Sequence, residues 1–222
     1  MRIRRAASFL LCLAGCLLVL CFAGGITAGE TPALFGAVMA NYARETMAVN
    51  AVASLYLNYR IFDTIFEALL LLVSVMSVIH FSRHEEAPAA APKIRRPLSG
   101  AVVNSMSFLA PVILMLGVYL IVNGHSTPGG GFQGGAMLCA AMICRYLVSP
   151  EKEINLAIYQ RIEKTLFILL AAAAALFAAS GLYLQHTWLN LPYLVLMNFL
   201  IGLKVFCGLT IIFVRFVHYE DK

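Results

Sequence analysis

Residues 123–135, NGHSTPGGGFQGG, separate two apolar runs of the chain and decide how those runs divide into helices. The stretch contains six glycines, one proline and one histidine, and it carries no formal charge. Because glycine and proline disfavour a continuous helix, the stretch is predicted to be a turn. The apolar residues on either side then form two helices, at about 102–122 and 131–148, each long enough to cross the roughly 30 Å hydrocarbon core of a membrane.

The composition of the whole chain extends this interpretation. Of the 222 residues, 61% are hydrophobic and only 12% are charged, whereas about 25% of the residues of a soluble domain are charged. The sequence therefore predicts an all-α, polytopic integral membrane protein with about six transmembrane helices. The predicted spans are residues 7–28, 61–81, 102–122, 131–148, 162–185 and 192–217, with a short helix from Thr46 before the second.

The first predicted span follows MRIRR, a start that also resembles a secretory signal. Its uncharged run covers residues 6–29. That run is longer than the ~7–15 apolar residues of a signal sequence and fits the ~20 residues that cross a bilayer. We therefore expect the run to be retained as the first helix.

Basic residues cluster on one side of this six-span arrangement. The clusters are Arg2, Arg4 and Arg5; Arg83, Lys93, Arg95 and Arg96; Arg145, Lys152, Arg161 and Lys164; and Arg215 and Lys222. Because loops rich in Lys and Arg stay in the cytoplasm, both termini are predicted to be cytoplasmic. The net charge of +5 is explained in this way and does not indicate nucleic-acid binding.

One stretch has the composition of a linker. RHEEAPAAAPKIRRP, residues 83–97, is rich in Ala and Pro and is charged at both ends, so it is predicted to be an extended cytoplasmic connection. It divides the chain into a two-span part, residues 1–82, and a four-span part, residues 98–222.

Few ionisable residues fall within the predicted spans, and intramembrane charge is costly and usually functional. Asp63 and Glu67 are four residues apart on one helix face, and Arg60 belongs to the same stripe. Two neighbouring carboxylates resist joint ionisation, which favours the binding of a proton or a cation. The alternative is that Arg60 and Asp63 pair at the outer interface and only anchor the helix.

Lys204 and His125 are the other candidates. Lys204 lies twelve residues after Pro192, too deep for its amine to reach either membrane surface. It is predicted to exchange a proton or to repel one from a neighbouring site; the alternative is a fixed ion pair with a carboxylate of another helix or subunit. Asn198, on the same helix, supplies either a polar contact or packing. His125 is either a proton shuttle near neutral pH or a hydrogen-bonding surface residue.

The glycine-rich turn has a structural interpretation of its own. Its glycines allow positive φ and a close approach of helices, and Pro128 suits a turn. The glycines concerned are Gly129, Gly130, Gly131, Gly134 and Gly135. No Lys-Ser/Thr follows them, so a phosphate-binding loop is not indicated. The cysteines lack zinc-ligand spacing, and no metal site, cofactor or catalytic residue is predicted.

Two motifs resemble a known family. GHSTPGGGFQGG at residues 124–135, followed by the apolar AMLCAAMICRYL, is similar to the signature of the MnhB/MrpB-like subunits of Mrp-type multisubunit cation/proton antiporters. MNFLIGLKVFCGL at residues 197–209 is similar to the last helix of that family, with Lys204 at the matching lysine. The resemblance covers about residues 98–222.

The preceding region resembles the end of the large MrpA-type protein, which carries the pattern N-x-V-x-x-I-L-x-D-Y-R-x-F-D-T-x-x-E. Asn58 departs from that pattern, since the family often has an acid there. In membrane-bound hydrogenases and sulfur-reducing complexes, the same module is a separate small subunit, so this chain resembles a fusion of two modules. The matching residues are Asn50, Tyr59, Arg60, Phe62, Asp63, Thr64 and Glu67.

The resemblance implies a non-enzymatic, cofactor-free, multi-pass subunit in the cytoplasmic (inner) membrane of a bacterium or archaeon. It implies antiporter-like and small membrane subunits as partners, in a simple antiporter or a hydrogenase-type complex that exchanges Na⁺ and H⁺. The ion path or its coupling element would then include Lys204, His125, Asp63, Glu67 and Arg60. The alternatives are a structural scaffold that holds the antiporter-like subunits together and a stand-alone transporter, which fits poorly because no inverted repeat is evident.

Overall fold

A computed structural model describes residues 31–83, 99–148, 155–180 and 188–220. The predicted first span and the predicted linker beyond residue 83 lie outside these residues. The chain divides into two compact units, Met1–Asn41 and Tyr42–Lys222. The described part of the first unit is the beginning of helix α1, Thr31–Thr46, and the second unit contains all the remaining elements.

Five long helices follow two short elements in the second unit. Helix α2, Ala51–Ser54, leads into a π-helical turn, Leu55–Tyr59. The long helices are α3, Ile61–Arg83; α4, Gly100–Val122; α5, Gly131–Val148; α6, Leu156–Ala179; and α7, Asn190–Glu220. Each of them contains a stretch long and apolar enough to cross a membrane, which confirms the predicted all-α polytopic membrane fold. The orientation of the termini stays a prediction.

Helix α7 is the centre of the packing. It contacts α3, α4, α5 and α6, and 56% of its membrane stretch is buried, against at most 28% for the other four. Its buried positions include adjacent residues, such as Leu200 and Ile201, so more than one face of the helix is enclosed by neighbours. The buried residues include Leu194, Met197, Ile201, Val205, Ile211 and Val214.

Two predicted helix starts are wrong, and a capping asparagine explains each. Helix α6 begins at Leu156 rather than at residue 162, because Asn155 accepts hydrogen bonds from the backbone N–H groups of the first turn. The short helix predicted before the second span is present, but it begins at Ala51 rather than at Thr46, where α1 ends. At the start of this short helix, the side chain of Asn50 accepts from the N–H of Val52 at 3.0 Å.

The π-helical turn widens the helix just before α3. The N–H of Arg60 donates to the carbonyl of Leu55 at 2.8 Å, a bond across five residues rather than four. The hydroxyl of Thr64 donates to the carbonyl of Tyr56 at 2.6 Å, so this backbone acceptor of the turn is satisfied by a side chain. The turn is therefore a hydrogen-bonded element and not a frayed end.

Glycines bring α5 into direct contact with α7. A Cβ atom at Gly135 would overlap the carbonyl oxygen of Gly202 and lie 2.8 Å from Cβ of Val205, both in α7. At Gly130, φ is +143°, and a Cβ atom there would overlap the hydroxyl of Tyr56. Both positions require glycine, the first because of the close approach and the second because of the backbone as well.

We expect Gly135→Ala to destabilise the protein by about 1–3 kcal/mol, since the added methyl group has to push two helix backbones apart. Gly100→Ala is the matched control, because no other heavy atom lies within 4 Å of its Cβ position. Thermal unfolding in detergent, followed by circular dichroism, measures both. Equal midpoints for the two variants would contradict the close α5–α7 contact.

Candidate functional site

The side chain of Lys204 forms a buried ion pair with Glu163. Nζ of Lys204, in α7, lies 2.7 Å from Oε1 of Glu163, in α6, and each side chain is only 1% exposed. Lys204 is fourteen residues after Asn190 and thirteen before Val217, at the middle of that span. The ammonium group also lies 5.6 Å from the centroid of the Phe167 ring. The ion pair thus occupies an apolar, solvent-excluded position inside the membrane domain.

A buried ion pair is tolerated only when both partners are present, because each charge offsets the cost of burying the other. Removing two charges from water is costly, and their mutual attraction offsets that cost only when the geometry is good. An apolar pair of the same volume would be as stable or more so, whereas removal of one partner leaves an uncompensated charge. Stability alone therefore does not account for a lysine and a glutamate at these two positions.

Glu163 is the functional candidate that sequence reasoning missed. It lies between Arg161 and Lys164 at the beginning of a span, where it resembled part of a charged interface. The missed signal was its helical phase, because Leu166, Leu170 and Ala174 follow it on one buried face of α6. An acid on that face has to find a partner inside the protein.

A second polar cluster joins the glycine-rich turn to α7 and to the π-helical turn. Oδ1 of Asn198 accepts hydrogen bonds from Oη of Tyr56 at 2.6 Å and from the N–H of Gly131 at 2.9 Å. Burial raises the pKa of Tyr56 to about 12, so its hydroxyl remains a donor at neutral pH. Nδ2 of Asn198 is buried without a hydrogen-bond partner among the described residues. Of the alternatives for Asn198, the polar contact is the one observed.

The glycine-rich turn is held from the other side by the segment that precedes α2. Nδ2 of Asn50 donates to the carbonyls of Gly124 and Thr127, at 3.0 and 2.9 Å. The backbone N–H groups of Val49 and Asn50 both donate to the carbonyl of His125. The imidazole of His125 is partly exposed, with Nδ1 3.1 Å from the carbonyl oxygen of Val122. His125 therefore contributes its backbone to the packing and leaves its ring at the rim of the turn.

Arg60 and Asp63 form a pair at the surface of the chain. Nε of Arg60 donates to Oδ2 of Asp63 at 2.6 Å, and the two side chains are 64% and 50% exposed. The pair has the geometry of the anchoring alternative, in which Arg60 neutralises Asp63 instead of joining a two-carboxylate site. Exposed pairs of this kind contribute only about 0–1 kcal/mol.

Glu67 is separate from that pair and has an exposed side chain. It lines a groove of about 270 Å³ with Tyr56, Gln133 and the backbone of Gly129 and Gly130. It forms no ion pair with a basic residue of the described part of the chain. The predicted candidates thus fall into two places: Glu67 at a groove beside the glycine-rich turn, and Lys204 in the core with Glu163.

The described residues contain no group of three or more His, Cys, Asp or Glu side chains that would hold a metal ion. The side chains of these sites are able to bind a proton, to attract a cation through a carboxylate and to form hydrogen bonds. Glu163 and Lys204 supply the first, and Glu67 supplies the second.

Comparisons with known proteins find a family whose model resembles part of this chain. The sequence model of a family described as a domain related to the MnhB subunit of Na⁺/H⁺ antiporters matches residues 102–211. Over 47 residues, the chain is 45% identical to the B-type subunit of a Na⁺/H⁺ antiporter of Alkalihalophilus pseudofirmus, a match that covers 21% of this chain and 33% of that relative.

Two further similarities extend beyond this domain. An uncharacterized protein of Methanocaldococcus jannaschii is 29% identical over 197 residues, which cover 72% of this chain and 74% of the relative. A chain in the structure of the membrane-bound sulfane sulfur reductase, an archaeal respiratory membrane complex, has the same fold, with a TM-score of 0.65 and 24% identity. That likeness covers 97% of this chain and 98% of the other. One chain there corresponds to both parts of this protein, although the resemblance led us to expect separate subunits.

The matched region contains the glycine-rich turn, Glu163, Asn198 and Lys204. The motifs at residues 124–135 and 197–209 had predicted the same relationship. Residues 102–211 are therefore similar to the family of domains related to the MnhB subunit of Na⁺/H⁺ antiporters, a match that covers just under half of the chain.

Proposed function

We propose that this protein is a membrane subunit of a Na⁺/H⁺-exchanging module of the Mrp type, in which Lys204 and Glu163 form a protonatable group within the membrane. The observation that carries the proposal is the fully buried ion pair at 2.7 Å, inside the MnhB-related region. The protein has no catalytic activity of its own and works with antiporter-like and small membrane subunits, in a simple antiporter or a redox-coupled complex.

The pair is suited to proton transfer because it has a neutral alternative. When a proton moves from Nζ of Lys204 to Oε1 of Glu163, the ammonium becomes a neutral amine and the carboxylate a neutral carboxylic acid. Both forms of the pair have no net charge. The apolar surroundings favour the neutral form, whereas the mutual attraction of the two charges favours the ion pair, so the two effects oppose each other. An ion that arrives nearby is then able to shift the proton between the two atoms.

Glu67 is the proposed binding carboxylate at the outer entry, with Asp63 as a neutralised neighbour. Asp63 is paired with Arg60, whereas Glu67 lines the groove beside Tyr56 and the glycine-rich turn. Since an exposed carboxylate in hydrocarbon is costly, a partner subunit covers this groove in the assembled complex. His125, at the rim of the turn, is the proposed group that passes protons to that entry.

The proposed topology follows the charge pattern. Both termini lie in the cytoplasm, and residues 123–130 face the outside. The two-span part, residues 1–82, and the four-span part, residues 98–222, act as modules joined by the cytoplasmic linker at residues 83–97.

The second candidate function is a scaffold, in which the polar groups only hold helices and subunits together. Two sets of hydrogen bonds favour this function: those from Asn50 to the glycine-rich turn and the one that Asn198 accepts from Gly131. Both hold backbone segments in place, and neither of them involves an ionisable group. The two functions differ in what a neutral replacement of the buried ion pair does to exchange.

A double-mutant cycle at the buried pair tests the proposal. Lys204→Met and Glu163→Gln should each destabilise the protein by about 3–5 kcal/mol, because each leaves a buried charge unpaired. The double variant should recover most of that stability and assemble with its partners. It should nevertheless lack Na⁺-driven proton movement in inverted vesicles, measured with a pH-sensitive dye.

Lys164→Met is the control, since Lys164 is exposed and adjacent to Glu163; both assembly and exchange should be unchanged. A double variant that assembles and exchanges at the rate of the unmodified complex would instead assign the pair to the scaffold function.

At the outer groove, Glu67→Gln should reduce Na⁺-driven proton movement to the background of vesicles without the complex, while the variant still co-purifies with its partners. Asp63→Asn should have a small effect, because it removes only an exposed ion pair. The same vesicle assay measures both. A stronger loss with Asp63→Asn than with Glu67→Gln would reverse the assignment.

A further inference from the structure

Helices α4, α5 and α7 enclose an open groove that the proposed exchange function does not use. Its volume is about 740 Å³, within the range of about 300–1,000 Å³ that is usual for ligand sites. Most of its wall is apolar, with Leu138 on one side and Leu203 and Phe206 of α7 at its base. In the membrane this wall is exposed to the hydrocarbon or to an apolar ligand.

Three polar features interrupt that wall. Arg145, in the last turn of α5, is exposed and forms no hydrogen bond or ion pair with another described residue. The hydroxyl of Ser107 in α4 is likewise exposed and unpaired within the described residues. Pro111 lies one turn further along and has no N–H, so the carbonyl of Ser107 lacks its usual intrahelical donor. Unsatisfied polar groups in hydrocarbon are costly, so these groups favour a polar partner.

The polar groups lie at one end of the groove. Ser107 is seven residues inside α4 from Gly100, and Arg145 is three residues inside α5 from Val148. At 1.5 Å per residue, these positions are only about 10 Å and about 5 Å from the helix ends. Both ends lie opposite the glycine-rich turn, because that turn joins the other ends of α4 and α5. The groove is thus polar near one membrane surface and apolar deeper in.

This division matches the chemistry of a phospholipid. We propose that the groove binds one anionic phospholipid, with its phosphate at Arg145, an ester carbonyl accepting from the hydroxyl of Ser107, and an acyl chain along Pro111, Leu138 and Leu203. In the proposed topology this end faces the cytoplasm, where anionic lipids attract basic residues. An apolar helix from a partner would cover the wall but leave the guanidinium of Arg145 without a counter-charge.

The bound lipid would cover α7, the helix that contains Lys204. Leu203 and Phe206 flank Lys204 in sequence, and the ring of Phe206 packs at 6.1 Å from that of Tyr159 in α6. An acyl chain in the groove therefore completes the packing around α7 on the side that α4 and α5 leave open. The site is independent of the exchange function and is tested by binding.

Native mass spectrometry of the full chain in detergent, with added lipid, measures the affinity. Dioleoylphosphatidylglycerol should bind about tenfold or more tightly than dioleoylphosphatidylcholine, since only the first carries a net negative charge for Arg145. Arg145→Gln should abolish that preference. Arg161→Gln, which changes an exposed arginine of α6 outside the groove, should keep it.

Two further experiments test where the lipid binds and whether the bound phosphate belongs to a lipid. Ala110→Trp fills the groove without a change of charge and should weaken the binding of both lipids. Inorganic phosphate at millimolar concentration should not displace phosphatidylglycerol, because the acyl chain contributes to binding. The assembled complex should retain phosphatidylglycerol and lose it with Arg145→Gln.

The proposal is overturned if Arg145→Gln keeps the preference for phosphatidylglycerol, or if Ala110→Trp leaves lipid binding intact. Displacement by inorganic phosphate would show a free-anion site instead of a lipid site. An assembled complex without phosphatidylglycerol would show that a partner subunit fills the groove, which equally rules the proposal out.

Discussion

The burial of helix α7 is the constraint on which the rest of the described fold depends. A helix enclosed by four others inside a membrane has no water to satisfy its polar side chains, so their partners must come from those neighbours. Lys204 finds Glu163 on α6, and Asn198 finds Tyr56 and the backbone of Gly131. These contacts fix the rotation of α7 as well as its position, because each partner lies on a different side.

Small residues make this enclosure possible. Gly131 and Gly135 let α5 contact the backbone of α7, and only at that distance does the N–H of Gly131 reach the side chain of Asn198. The glycine-rich turn is therefore more than a connection between two spans. It places a backbone donor next to a buried amide and positions the groove that contains Glu67.

The sequence contained enough information for the membrane class, the turn and the depth of Lys204. Those features depend on composition and on local spacing, which a single chain displays directly. It did not reveal that Glu163 pairs with Lys204, because the two residues are 41 positions apart and the acid lay between basic neighbours. The wrong helix starts have a local cause: the capping side chains of Asn50 and Asn155 override the hydropathy pattern by one or more turns.

The π-helical turn before α3 has a consequence for where the acids point. A π-helical turn has more residues per turn than an α-helix, and Arg60 after it, with φ −121° and ψ 36°, is not helical, so the residues that follow do not continue the phase of α2. Asn50, before the turn, is directed at the glycine-rich segment, while Asp63 and Glu67, after it, are set at a shifted phase. The helix face on which Glu67 lies thus depends on the number of residues in the π-helical turn, Leu55–Tyr59, as much as on their identity. The direction of the Glu67 side chain therefore depends on how many residues the segment before α3 contains.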